Sequence, residues 1–87
     1  MPVVRVISAL GCLPCERVKL RLEEIQARHA DLTVEDVDML TDEGVALATH
    51  HRVWALPTLI IAGTIVAEGD VDLPDLEAAL GFVPGGN

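Results

Sequence analysis

The spacing of apolar residues changes period several times along the chain. "VVRVIS" (3–8) is a β-branched run closed by "ALG" and predicts a mostly buried strand. From Pro14 onward the period becomes helical. Cys15, Val18, Leu22 and Ile25 share one face, while Glu16, Arg17, Lys19, Arg21, Glu23 and Glu24 fill the rest of the turn. This predicts an amphipathic helix ending near residues 28–30, with Pro14 in the first turn, where no intrahelical N–H bond is lost. "LTVEDVDM" (32–39) reads as a second strand whose alternation is broken at Glu35–Asp36. Thr41 then caps a helix to about His51, with Asp42 and Glu43 in its first turn. "PTLIIA" (57–62) and "IVAE" (65–68) form a hairpin across Gly63–Thr64, and Asp72 caps a last helix, "LPDLEAAL". "GFVPGGN" stops that helix and leaves a loose tail.

The predicted order is β-α-β-α-β-β-α. A right-handed crossover makes the first two strands parallel, and the hairpin adds an antiparallel pair. The expected α/β architecture is therefore a four-stranded mixed sheet with helices on both faces. Residues 1–82 read as a single domain and 83–87 as the tail.

Composition narrows the function. The chain has 87 residues, 51% of them hydrophobic, with Trp54 and Phe82 the only aromatics, so an aliphatic core is expected. A formal net charge of −8 opposes binding to phosphate backbones and anionic lipid, which argues against nucleic-acid and membrane partners. No apolar run approaches the ~20 residues of a membrane span. The N-terminus shows no signal-peptide pattern, so the expected compartment is the cytoplasm. A monomer is expected.

The two cysteines lie in "GCLPC" (11–15), between the first strand and the first helix. C-x-x-C is a spacing at which two thiols close a small disulfide with little backbone movement. Cys12 falls at the helix N-terminus, where unpaired N–H groups and the macrodipole favour a thiolate, the species that attacks disulfides. Cys15 falls one turn in, on the apolar face, where it suits a resolving thiol. A buried unreactive pair and a zinc site are the competing readings. Zinc requires about four ligands, and only His29, His50 and His51 could join the cysteines; His50 and His51 are adjacent and do not fit zinc-ligand spacing. No metal is expected, and the histidines read as polar helix-surface residues.

A second segment adds to the first. "VWALPTLIIAG" (53–63), with "GCLPC", resembles the thioredoxin superfamily across nearly the whole chain. The resemblance implies the minimal thioredoxin fold, a cis peptide bond at Pro57, and a groove in which Leu56 pairs with substrate backbone. It implies catalysis by Cys12 and Cys15, with substrate met by Leu13, Pro14, Trp54, Leu56, Pro57 and Thr58. Protein disulfides would be the substrates, with a thioredoxin-reductase-type enzyme or glutathione as electron donor. No cofactor is implied beyond the redox-active Cys12–Cys15 disulfide. The proline just before the second cysteine is similar to thioredoxin's C-G-P-C, whereas glutaredoxins usually carry C-P-Y-C. Of the glutathione-holding element of glutaredoxins, only Gly69 and Asp70 have a weak likeness. A glutathione-dependent glutaredoxin is therefore the alternative, and an iron–sulfur or redox-binding module a further one. Two positions depart from thioredoxins: Gly11 replaces a tryptophan, and Val6 replaces a buried acid.

Overall fold

The computed structural model describes residues 3–84, so residues 85–87 of the expected tail lie outside the described residues. The elements are β1 (Val3–Ser8), α1 (Leu13–Arg28), β2 (Thr33–Asp38), α2 (Asp42–His51), β3 (Thr58–Ile61), β4 (Thr64–Glu68) and α3 (Leu73–Ala79). They build the expected mixed sheet in the order β2-β1-β3-β4. β1 runs parallel to β2 from Val3↔Thr33 to Ser8↔Asp38, and antiparallel to β3 from Val4↔Ile61 to Ile7↔Thr58.

Alternation along β1 divides the core. Val4 and Val6 pack with Val18, Leu22 and Ile25 of α1, Leu59 of β3, and Leu76 and Leu80 at α3. On the opposite face, Arg5 bonds Glu43 of α2 at 3.1 Å. Full burial of each such aliphatic side chain contributes roughly 1.5–3 kcal/mol. This packing fixes α1 and α3 over one face and leaves α2 on the other.

Differences from the sequence pattern are local. The hairpin turns at Ala62–Gly63, with φ of 50° and 79°, and Thr64 already belongs to β4. Two positive φ values match the right-handed twist of the flanking strands, which outweighs the cost of placing alanine in the left-handed region. His29 is not a helix-surface residue. It is the half-buried C-cap of α1, stacked on Phe82 with ring centroids 3.8 Å apart. Phe82 is correspondingly not loose: it packs against the core, and its N–H donates to Glu77 O at 2.9 Å.

Candidate active site at the start of the first helix

β1 ends at Ser8, and the chain reverses through Gly11, whose φ of 74° suits a residue without Cβ. Cys12 follows as the N-cap of α1. Its sulfur accepts the Cys15 N–H at 3.1 Å, so it occupies the place of a capping oxygen. Pro14 is in the first turn, as its missing N–H allows. Cys12 and Cys15 are joined in a disulfide with Cα atoms 5.2 Å apart. Their burial differs sharply. Cys15 is 1% exposed within the apolar face of α1, whereas Cys12 is half-buried at its rim.

The 52–57 loop reaches the same end of the sheet. Arg52 closes α2 in the left-handed region, and Val53 N–H bonds Ala48 O at 2.9 Å. The Leu56–Pro57 peptide bond is cis. β3 begins at Thr58 beside Ile7, one residue before the end of β1. Gly69 N–H donates to Pro57 O at 2.8 Å and closes this edge.

The residues around the disulfide divide by exposure. Trp54 is 91% exposed and Leu13 62%, and Leu56 and Pro14 are half-buried, so all four can meet a ligand. Pro57 and Thr58 are buried. Thr58 donates its hydroxyl to Ala55 O at 2.6 Å, which braces the loop beneath the groove. Sequence reasoning missed Leu10 and Leu40, 87% and 79% exposed, in the loops after β1 and β2. A leucine two positions past a strand end was the available signal in each case.

Two polar networks flank α1. Asp36 accepts from Ser8 Oγ at 2.7 Å and from Lys19 Nζ at 2.8 Å. Partial burial works to raise its carboxyl, but the bonds from Lys19 and Ser8 together hold it below its ordinary value of 3.8. Asp70 accepts from Arg21 Nη1 at 2.5 Å and from Arg17 Nε at 2.9 Å. The Arg21 bond chiefly lowers its carboxyl; desolvation opposes this and Arg17 adds to it. Glu16 is exposed on the first turn of α1. A cavity of about 230 Å³ opens beneath Lys19 and Asp36, with Val6, Leu22 and Val34 among its lining, but neither cysteine reaches it. His50 and His51 meet edge to face at 4.8 Å, and no three His, Cys, Asp or Glu side chains gather as metal ligands among the described residues.

A disulfide capping a helix, beside a cis-proline loop on a four-stranded mixed sheet, defines a redox-type thioredoxin-fold domain. Comparison with known proteins agrees. The chain is 39% identical to a thioredoxin of Mycolicibacterium smegmatis over 61 residues, 69% of this chain and 54% of that relative. It thus spans about half the length of the curated relative it matches. Among solved structures, a malarial protein matches at TM-score 0.70 and 26% identity, over 93% of this chain and 94% of that one. Thioredoxin-2 of the malaria parasite matches at 0.73 and 24%, over 93% and 82%. Thioredoxin O1 of Arabidopsis thaliana matches at 0.73 and 22%, over 97% and 78%. No family model matches. The chain belongs to the thioredoxin superfamily.

Proposed function

We propose that this protein is a thiol–disulfide oxidoreductase acting on protein disulfides, with Cys12 as nucleophile and Cys15 as resolving thiol. The observation that carries the reading is the asymmetry of the pair: Cys12 sulfur caps α1 at the surface, and Cys15 is enclosed one turn below. In the reduced protein, the Cys12 thiolate bonds to one substrate sulfur and expels the other as a thiolate. Cys15, losing its proton, then attacks Cys12 Sγ and expels the second substrate sulfur. Two electrons and two protons pass to the substrate, and the protein returns to the disulfide. Leu13, Leu56 and Trp54 offer apolar area to the segment around the substrate cystine. The electrons return from a protein dithiol donor of the thioredoxin-reductase kind, and the disulfide itself is the only redox group required.

The test is reduction of a protein disulfide such as that of insulin. Cys12→Ser abolishes turnover, and Cys15→Ser accumulates a mixed disulfide at Cys12 visible by mass spectrometry. Turnover retained in Cys12→Ser overturns the reading.

A further inference from the structure

The loops after β1 and β2 run side by side. Ser8 and Asp38 are register partners at the strand ends, and Met39 N–H donates to Ser8 O at 2.7 Å. Two residues further along each loop stand Leu10 and Leu40, 87% and 79% exposed, and Cys12 follows Leu10 by two more. The pair extends the exposed apolar residues at this end of the sheet, Leu13 and Trp54, toward the β2 edge. Carboxylates bracket Leu40. Asp38 Oδ1 accepts the Leu40 N–H at 2.8 Å, and Asp42 opens α2 two residues later. Neither is in an ion pair among the described residues. Arg5, which bonds Glu43 in the first turn of α2, is shared with Glu35, so one further carboxylate is left unbalanced there. The other cations are placed elsewhere. Arg17 and Arg21 meet Asp70 beyond the opposite edge strand, β4; Lys19 is taken by Asp36 and Arg28 by Glu77. Arg52 closes the far end of α2, about 15 Å along a ten-residue helix. The corner is therefore apolar at its centre and net negative around it.

We infer that this corner is a docking subsite for the substrate protein and takes a lysine or arginine from it, so that the preferred substrates are cystines in apolar segments with a basic residue nearby. This rests on the redox reading above and deepens it by naming the substrate class. Leu10 and Leu40 cover the aliphatic stem of such a side chain, and its charged head meets Asp38 or Asp42. β1 and β2 are about 4.8 Å apart, so Leu40 and Asp42 lie on the order of 10 Å from Cys12, a distance an extended segment covers in about three residues. The exchange at sulfur is unchanged. The Cys12 thiolate bonds to one sulfur of the cystine and expels the other; Cys15 then attacks Cys12 Sγ and frees the first. The substrate gains two electrons and two protons as the Cys12–Cys15 bond closes. The subsite acts on encounter and orientation, before any bond changes.

The experiment measures single-turnover rates at which the reduced protein reduces three peptides of one apolar sequence, each disulfide-linked to a neutral blocked cysteine. They carry lysine, glutamine or glutamate about three residues to either side of the reacting cysteine. Products are read by alkylation and mass spectrometry at neutral pH and an ionic strength of about 0.1 M. The lysine peptide is expected to react about two- to fivefold faster than the glutamine one, and the glutamate peptide slower by as much, the size of one unit-charge interaction at about 4–8 Å in water. Raising the salt to about 1 M removes this order. Asp42→Asn lowers the lysine-to-glutamine ratio about twofold. Leu10→Ser with Leu40→Ser slows all three peptides and keeps their order. Asp31 is exposed in the turn before β2, at the opposite end of the sheet, so Asp31→Asn removes the same charge from beyond a Debye length of about 10 Å and leaves the ratio unchanged. Equal rates for the three peptides overturn the inference. So does an equal response to Asp31→Asn, which would show overall charge alone at work, and so do unaltered rates in the leucine variant. If the charge order fails while Cys12→Ser still abolishes reduction of all three peptides, only the substrate class falls; if Cys12→Ser retains turnover, the function itself falls.

Discussion

The backbone N–H of Cys15 donates to the sulfur of Cys12 at 3.1 Å, so the half-buried cysteine is held at the helix end by the fully buried one's own peptide group. The bond makes the two thiols chemically unequal although they are three positions apart. A reduced sample treated briefly with iodoacetamide at neutral pH is therefore expected to carry the label at Cys12 and leave Cys15 free, as peptide mass mapping reads directly. Equal labelling would contradict the burial asymmetry.

The reduction potential separates the possible donors. A dithiol served by a reductase is expected near about −270 mV, whereas one served by glutathione would titrate near about −200 to −230 mV. Equilibration against glutathione buffers, followed by alkylation, gives the value.

Gly44 marks the tightest backbone approach. A Cβ there would collide with the carbonyl of Asp38, at the point where α2 starts beneath the end of β2. Helix propensity alone would make Gly44→Ala stabilising by about 1 kcal/mol. The collision is expected to reverse that sign, with a loss of roughly 1–3 kcal/mol of the kind seen on overpacking, measured by urea unfolding. A stabilised variant would show that α2 can shift without cost.

The opposite sign is expected at the hairpin. Ala62 is exposed and holds φ at 50°. Replacing it with asparagine creates the Asn-Gly pair that such turns prefer, and stability should rise by about 0.5–1 kcal/mol. Thermal unfolding of Ala62→Asn checks this.

Asp36 links stability to pH. Its carboxyl titrates below its ordinary value of 3.8 in the folded chain, so the folded state favours its charged form. The sign follows from linkage: this contribution is fully present above the unfolded value and disappears as pH falls through the folded one. The side chains of Asp36 and Lys19 are 53% and 37% exposed, so solvent screening limits the pair to about 0.5 kcal/mol. The stability difference between the native chain and Asp36→Asn is expected to be present at pH 6 and gone near pH 2. A difference independent of pH would remove the carboxylate from the account.

Much of this molecule follows from local patterns. β-branched runs at 3–8 and 57–62, helical spacing from Cys15 to Ile25, and caps at Thr41 and Asp72 each act within a few residues, so the sequence displays them and the structure keeps them. The placement of Cys12 at a helix start is likewise local, because strand, turn and helix are contiguous. What the sequence could not display are relationships between distant segments. Arg17 and Arg21 meet Asp70 only because α1 and α3 cover the same face of the sheet, and nothing in the intervening chain encodes that pairing. His29 reads as an exposed helix end until Phe82 folds back upon it. Backbone periodicity and capping are short-range and additive, so sequence alone determined the elements and their redox pair. Burial and charge pairing depend on which faces meet, and tertiary packing alone decided them.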